Sequence, residues 1–362
     1  MSIKKILFVF NHPAPYKVRL FNELSKHFDL TVIFERDSAN NRTKEFYSET
    51  KYDFKTVSIK GVKLGDENIL SNAIKNHLKT NKYDLVVMNG YSTFAEMEAI
   101  KYLKKNNIKY CLYINGGIKK EKESKLRRNI KTKYISGANF YISPDQRSNT
   151  YLKHYGAYTD KIYNYTYSTI YKDEILLKRL SQDEIDNLKN KYNINSNEIY
   201  VSCGQLIPRK NFVELIQSWP EDEQKMLLII GEGPQHKKLE NLIQKRSVKN
   251  IKLMGYLNRK QQFEIYRFSK AFIFPSNEDI YGHVVNEAMS QGLPVISTKN
   301  VNSSLKLIND ENNGFLINEV SKASINNALK KIDQCTFEAC ISTAKENTIE
   351  KMVLDHLDIL NN

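Results

Sequence analysis

The sequence predicts an α/β protein built from two doubly wound, parallel-sheet domains. Three observations carry that prediction. Short apolar runs recur along the chain with amphipathic helical patterns between them, as expected of strands covered on both faces by helices. The series occurs twice, on either side of a polar stretch that follows Tyr167. The length, 362 residues with 41% apolar and 27% charged, suits two soluble domains and excludes wholesale disorder.

In the first half, strands are expected at 5–10, 30–35, 55–59, 85–88, 110–114 and 139–142. Val18, Phe21, Leu24 and Phe28 follow the first at helical spacing, and a second helix is expected over 93–103. In the second half, the apolar runs fall at 199–202, 226–230, 251–254, 271–274, 295–297 and 315–317. Phe212, Leu215, Ile216 and Trp219 form one helical stripe there, and Leu239, Leu242 and Ile243 another. Between the halves, a polar helical stretch is expected from about 172 to 191, with Ser181 and Glu184 as a capping box. The domains are therefore set at 1–168 and 169–345. Leu354, Leu357 and Ile359 suggest a last helix over 346–362.

Several classes drop out on composition. Four cysteines (Cys111, Cys203, Cys335 and Cys340) are too few for a disulfide scaffold and lack the spacing of a zinc site. No stretch approaches the ~18 apolar residues of a membrane span. The apolar run after the first lysines is shorter than the ~7–15 residues of a signal-peptide core, so a cytoplasmic protein is expected. The charge is less ordinary: 55 basic against 41 acidic residues, net +14. Between Lys101 and Lys133 stand twelve Lys/Arg and two Glu, which points to an anionic partner.

In open α/β sheets, ligands bind beyond the carboxyl ends of the strands. Four loops of the second half qualify. Gly204-Gln-Leu-Ile-Pro-Arg-Lys-Asn211 brings the adjacent cations Arg209 and Lys210 to a helix start, an arrangement suited to an anion. Gly231-Glu-Gly-Pro234 follows an apolar strand, and its Gly231 and Gly233 permit either close approach to a ligand or a tight turn. Gly255-Tyr256 follows the next strand. The fourth loop runs from Pro275 to Ile296 and holds Glu278, Asp279, Tyr281 and Gly282. A helix is expected to begin near Gly282, with His283 and Glu287 four apart on one face. Carboxylates there can accept from sugar hydroxyls, while the amides at 281–283 can donate.

This last stretch resembles the acidic signature of family 4 glycosyltransferases: Asp279 and Glu287, embedded in Asp-Ile-Tyr-Gly and Asn-Glu-Ala-Met-x-x-Gly-Leu-Pro-Val-Ile. The Gly204, Gly231 and Gly255 loops fall in that family's order and spacing. The resemblance is strong over about 198–320 and diffuse before it. It implies a GT-B fold, two Rossmann-like domains facing a central cleft, and a retaining, metal-independent enzyme without a cofactor beyond its nucleotide-sugar co-substrate. It implies that Lys210, with Arg209, binds the donor's diphosphate, and that Asp279 binds donor-sugar hydroxyls, helped by the Gly282 and His283 amides. Glu287 would bind the ribose, and the Gly231 and Gly255 loops would frame the base. Gln205 stands where the family often has Arg, a charge Arg209 can supply. Asp279 stands where Glu is common, which leaves Glu278 as the alternative sugar ligand.

A departing diphosphate stabilised by positioned cations needs no protein nucleophile, and no DxD motif ends a strand. On the acceptor side, His12 in Asn11-His-Pro-Ala-Pro-Tyr16 and the Asn115-Gly116-Gly117 turn are candidates, and both equally suit ordinary turns. The segment from Lys119 to Lys133 has eight Lys/Arg and two Glu, with Leu126, Ile130 and Tyr134 at helical spacing. It can either lie on an anionic leaflet, as a peripheral protein would, or pack its stripe onto the sheet. The expected partners are thus a nucleotide-diphosphate sugar, a glycan or polyprenyl-diphosphate-linked acceptor of bacterial surface polysaccharide synthesis, and a membrane surface. A basic nucleic-acid-binding protein is the competing class, but the cluster lacks interleaved aromatic platforms. A GT-B sugar-nucleotide epimerase is the competing reaction.

Overall fold

The apolar runs form two parallel sheets, each in its own unit of the chain. The computed structural model describes residues 3–38, 47, 51–59, 62–64, 68–120 and 122–361. One unit spans Met1–Tyr167 and Ile349–Asn362; the other spans Ser168–Thr348. The first contains β1 (Lys5–Phe10), α1 (Pro15–Leu24), β2 (Asp29–Phe34), β3 (Lys55–Ser58), β4 (Val62–Leu64), β5 (Asn68–Leu70) and α2 (Ala73–Thr80). It continues through β6 (Leu85–Met88), α3 (Phe94–Lys105), β7 (Tyr110–Tyr113), α4 (Lys125–Ile135), β8 (Phe140–Ser143), α5 (Gln146–His154) and β9 (Ile162–Asn164).

Seven strands pair in the order β3-β2-β1-β6-β7-β8-β9, all parallel, while β4 and β5 form a separate antiparallel pair. Ile6, Leu7, Phe8 and Val9 are all fully buried because helices cover both faces of β1. Thr93 starts α3 with the capping box that its Thr-x-x-Glu96 spacing allows. Sequence periodicity misses β9 because it is three residues long, half exposed, at the sheet's edge.

The second unit contains α6 (Gln182–Lys191), β10 (Glu198–Cys203), α7 (Phe212–Ser218), β11 (Lys225–Ile230), α8 (His236–Arg246), β12 (Ile251–Gly255) and α9 (Arg259–Phe268). After these come β13 (Ala271–Phe274), α10 (Val284–Ser290), β14 (Val295–Thr298), α11 (Asn302–Leu307), β15 (Gly314–Ile317), α12 (Lys322–Lys331) and α13 (Phe337–Lys345). The six strands run parallel in the order β12-β11-β10-β13-β14-β15. Phe272 and Phe274 face one core and Ala271 and Ile273 the other, the two-residue alternation of a pleated strand. The helical stretch expected over 172–191 is shorter than its polarity suggested. A 3₁₀ turn covers Lys172–Glu174, and α6 begins only after Ser181, whose capping box with Glu184 is present. Between them Ile175 is buried in the core and the Leu176 N–H donates to the Ser290 carbonyl (2.9 Å), so this segment is spent on packing.

The last helix, α14 (Ile349–Asn361), belongs to the first unit, where it packs on α1. Its buried face is Ile349, Met352, Val353, His356, Ile359 and Leu360, and Leu354 points to solvent. His356 sits inside that face, 4.9 Å from the Tyr165 ring and 5.7 Å from Tyr113, which is why the stripe is hard to see in the sequence.

Candidate functional site

In the second sheet, β10 and β13 are neighbours although β11 and β12 come between them in the chain. The loops leaving their carboxyl ends therefore diverge and open a switch-point crevice. The β10 loop passes through a 3₁₀ turn at Pro208–Lys210 and a left-handed Asn211 (φ 61°) before α7 starts. Arg209 and Lys210 thus lie ahead of the helix. The β13 loop is laced to this turn: the Asn277 N–H (2.8 Å) and the Ser276 hydroxyl (3.1 Å) both donate to the Arg209 carbonyl.

Those backbone bonds bring cations and carboxylate together. Lys210 Nζ donates to Asp279 Oδ2 in a direct ion pair, and Arg209 Nη1 lies 3.4 Å from the same oxygen and 3.3 Å from the Glu278 carbonyl. Lys210 is only 8% exposed, and its ammonium lies 4.5 Å from the centre of the Phe274 ring. Burial would raise the Asp279 pKa, but the Lys210 charge and hydrogen bond, Arg209 and the Tyr281 N–H (3.2 Å) outweigh it and hold the carboxyl below its ordinary range. Burial lowers the Lys210 pKa against the upward pull of Asp279. Lys210 and Asp279 are largely buried, where electrostatic interactions are strong, whereas the Arg209 side chain is 46% exposed. Glu278 is exposed beside them.

The glycines of the neighbouring loops serve the frame. Gly231 has φ 140°, and a Cβ there would lie 2.0 Å from the Gly204 carbonyl oxygen. At Gly233, a Cβ would lie 2.7 Å from the Leu206 carbonyl oxygen. Both are required because another loop's backbone approaches. Gly255 closes β12 by accepting from the Gly231 N–H (2.8 Å), and Tyr256 after it is half exposed.

Gly282 does not start the helix. Its φ of 93° is outside the helical region, and α10 begins at Val284 with the Glu287 N–H donating to the His283 carbonyl (3.0 Å). Tyr281 is buried, its ring 4.9 Å from that of His283. Glu287 is mostly buried and is held from outside its own loop. Its Oε1 accepts from Thr169 Oγ1 (2.8 Å) and from Arg259 Nη1 (3.1 Å). Arg259 also forks onto Glu174 (2.7 and 3.1 Å) and donates to the Thr169 carbonyl (2.8 Å). Sequence reasoning missed Arg259, Glu174 and Thr169. The available signal was Asn258, which caps α9 and sets Arg259 as its first residue, next to the Gly255 loop.

In the first unit, the strand order reverses between β1 and β6, and the candidates lie on that sheet's carboxyl edge. His12 Nδ1 lies 3.2 Å from the Tyr47 hydroxyl, and Asn115 Nδ2 donates to Asn89 Oδ1 (2.9 Å). Gly116 has φ 145°, and the Gly117 N–H donates to Ser148 Oγ (3.0 Å). The sequence reading also missed a buried carboxyl pair at the same edge. Thr93 Oγ1 donates to Glu35 Oε1 (2.6 Å), while Glu96 Oε2 accepts from the Ser92 and Thr93 amides. Burial pushes Glu35 up to about 7, and burial with the Glu35 charge pushes Glu96 up to about 8.

The basic segment from Lys119 to Lys133 contains α4, and Glu121 lies outside the described residues. Of its apolar stripe only Tyr134 is buried; Leu126 is 71% exposed and Ile130 42% exposed. Lys131 pairs with Glu123 (2.7 Å), and an open recess beside them is lined by Lys120, Lys122, Ser124 and Arg127.

Comparison with known proteins agrees with this frame. Residues 184–346 match the family described as glycosyl transferases group 1. An uncharacterized glycosyltransferase of Methanocaldococcus jannaschii is 27% identical over 169 residues, 42% of this chain and 48% of that protein. The chain thus spans about half the length of that curated relative. Among solved structures, Anabaena HepE in complex with UDP and glucose superposes with a TM-score of 0.76 at 16% identity, over 99% of this chain and 100% of that one. The apo lipopolysaccharide outer core galactosyltransferase WaaB gives 0.73 at 15% identity, over 98% and 99%. The fold is that of these GT-B proteins.

Proposed function

We infer that this protein, whose residues 184–346 match the glycosyl transferases group 1 family, is a retaining, metal-independent glycosyltransferase that takes its sugar from a nucleoside-diphosphate donor. The carrying observation is the Arg209–Lys210–Asp279 cluster at the switch point of the second sheet. In this reading, the donor's diphosphate displaces Asp279 from the two cations, and the freed carboxylate accepts from the sugar's hydroxyls. The bond from the anomeric carbon to the diphosphate oxygen breaks with its electron pair moving onto the diphosphate. The acceptor hydroxyl attacks the same face and passes its proton to the departing diphosphate. Lys210, already dehydrated over Phe274, stabilises that developing charge without reorganising, which is where electrostatic catalysis is most effective. Two fixed cations fill the role a metal has elsewhere. UDP is the first nucleotide to test, since HepE binds it.

The acceptor in this reading is a glycan or a polyprenyl-diphosphate-linked glycan, in the surface polysaccharide chemistry to which WaaB belongs. Among the described residues no helix is long and apolar enough to cross a membrane. Attachment to an anionic leaflet would instead run through α4. Exposed Leu126 and Ile130 supply apolar contact, and the flanking basic residues contribute about 1 kcal/mol each near such a surface.

The test is incubation with radiolabelled sugar nucleotides, with and without a bacterial lipid extract. Label moving into an organic-extractable or polymeric product, with retained anomeric configuration, supports the reading. Donor epimerisation without transfer, or inversion, refutes it.

A further inference from the structure

We propose that Arg259 is a positioning residue for nucleotide recognition: it fixes Glu287 so that one carboxylate oxygen is presented to the ribose of the donor. The inference rests on the reading of Glu287 as the ribose ligand. It concerns a residue on a different element, 28 positions away in the chain.

A glutamate has three freely rotating side-chain bonds, and a carboxylate that must accept from two vicinal hydroxyls loses affinity if it arrives in many rotamers. At Glu287 the two holding contacts fall on the same oxygen: Thr169 Oγ1 and Arg259 Nη1 both donate to Oε1. Oε2 keeps its lone pairs for a ligand. The holder is itself held. Arg259 uses Nε and Nη2 in a fork onto Glu174 and Nη2 again on the Thr169 carbonyl, and its guanidinium lies 4.6 Å from the Phe263 ring centre. Four hydrogen bonds and a ring face leave the planar group one orientation, a geometry that a lysine ammonium cannot reproduce. Thr169 and Glu174 lie at the start of the second unit, so the opening segment of that unit is part of the clamp. Arg259 and Glu287 are also placed independently of the diphosphate cations. Glu287 stands on α10, Arg259 on α9, and Arg209 and Lys210 bond to Asp279 instead.

The experiment measures binding by calorimetry, using whichever of uridine, guanosine and adenosine diphosphate binds most tightly, and its 2′,3′-dideoxy analogue. Wild type should prefer the hydroxylated ligand by tenfold or more. Arg259→Met should weaken the hydroxylated ligand at least fivefold and change the dideoxy ligand less than twofold. Arg259→Lys should fall between, and Glu174→Gln should shift the preference the same way by a smaller factor. Thermal unfolding monitors each variant, and Glu174→Gln carries the test should Arg259→Met not fold. An equal loss for both ligands, or an unchanged preference, overturns the proposal. Glu287→Gln separates the two levels. If it abolishes the preference while Arg259→Met and Glu174→Gln do not, only the positioning role falls. If wild type shows no preference, or Glu287→Gln retains it, the ribose reading falls and the proposal with it.

Discussion

Lys210→Met separates what the cation does for the fold from what it does for the ligand. The substitution keeps an apolar stem over Phe274 and removes the charge. Lys210 and Asp279 are each nearly nine-tenths buried at the side chain, so losing one partner leaves an under-compensated carboxylate. Breaking a buried pair costs about 3–5 kcal/mol. Arg209 and the Tyr281 amide remain on Asp279, so the expected loss is about 2–3 kcal/mol, read by urea unfolding. Removing both charges in Lys210→Met/Asp279→Asn should restore stability to within about 1 kcal/mol of wild type. It should not restore binding. One charged hydrogen bond to a diphosphate contributes about 1.5–3 kcal/mol, so calorimetry should find UDP weakened by roughly 10- to 150-fold in both variants. The pH dependence follows the same group. Asp279 has its pKa depressed in the folded state, so its stabilisation is present above its ordinary value, about 3.9, and is lost as pH falls through the folded value. The Asp279→Asn background should lose that acid-side decline. A double variant that binds UDP as tightly as wild type would show that Lys210 serves the fold alone.

Three further outcomes are expected. Transfer should persist in excess chelator; activity abolished by EDTA and restored by magnesium or manganese would end the metal-independent reading. Glu35 and Glu96 have raised folded pKa values, so their protonated forms favour the folded state and stability should decline as pH rises from about 4.5 through 7–8. Glu96→Gln should flatten that decline in melting temperature between pH 5 and 9, and an unchanged slope would exclude the pair as its source. Leu126→Asp/Ile130→Asp should cut co-sedimentation with vesicles containing phosphatidylglycerol while leaving the melting temperature within about 2 °C, because Leu126 is 71% and Ile130 42% exposed. Equal binding by the double variant, or by wild type to neutral vesicles, would remove the membrane role from α4.

The central strands were legible because they are buried on both faces, so their apolar runs need no partner to be recognised. The cap of Ser181 with Glu184 was equally legible, since it satisfies helix amides within one turn, as Thr93 and Glu96 also do at the start of α3. Arg209, Lys210 and Asp279 in the loops, and Glu287 on the helix that follows, could be singled out from their positions after strands and from the family-like signature around them. Where the signal was weak, the element was short or marginal, as at β9, or the buried face carried a polar residue, as at His356 in α14.

Tertiary structure decided who meets whom. Lys210 and Asp279 are 69 positions apart, and it is the placement of β13 beside β10 that makes them an ion pair. Arg259 reaches Glu287 across 28 positions, and Glu174 reaches Arg259 across 85. No periodicity encodes those distances. The Gly231 and Gly233 pattern is visible in the sequence, but its cause, a neighbouring backbone 2.0–2.7 Å from where a Cβ would stand, exists only once the sheet has formed. The stripe on α4 could equally have been core or surface, and packing left Leu126 and Ile130 outside. Local chemistry sets which segments become strands, helices and capped turns, because those interactions close within a few residues. Sheet order sets the site, because its charges meet only after crossover connections have been folded back over the sheet.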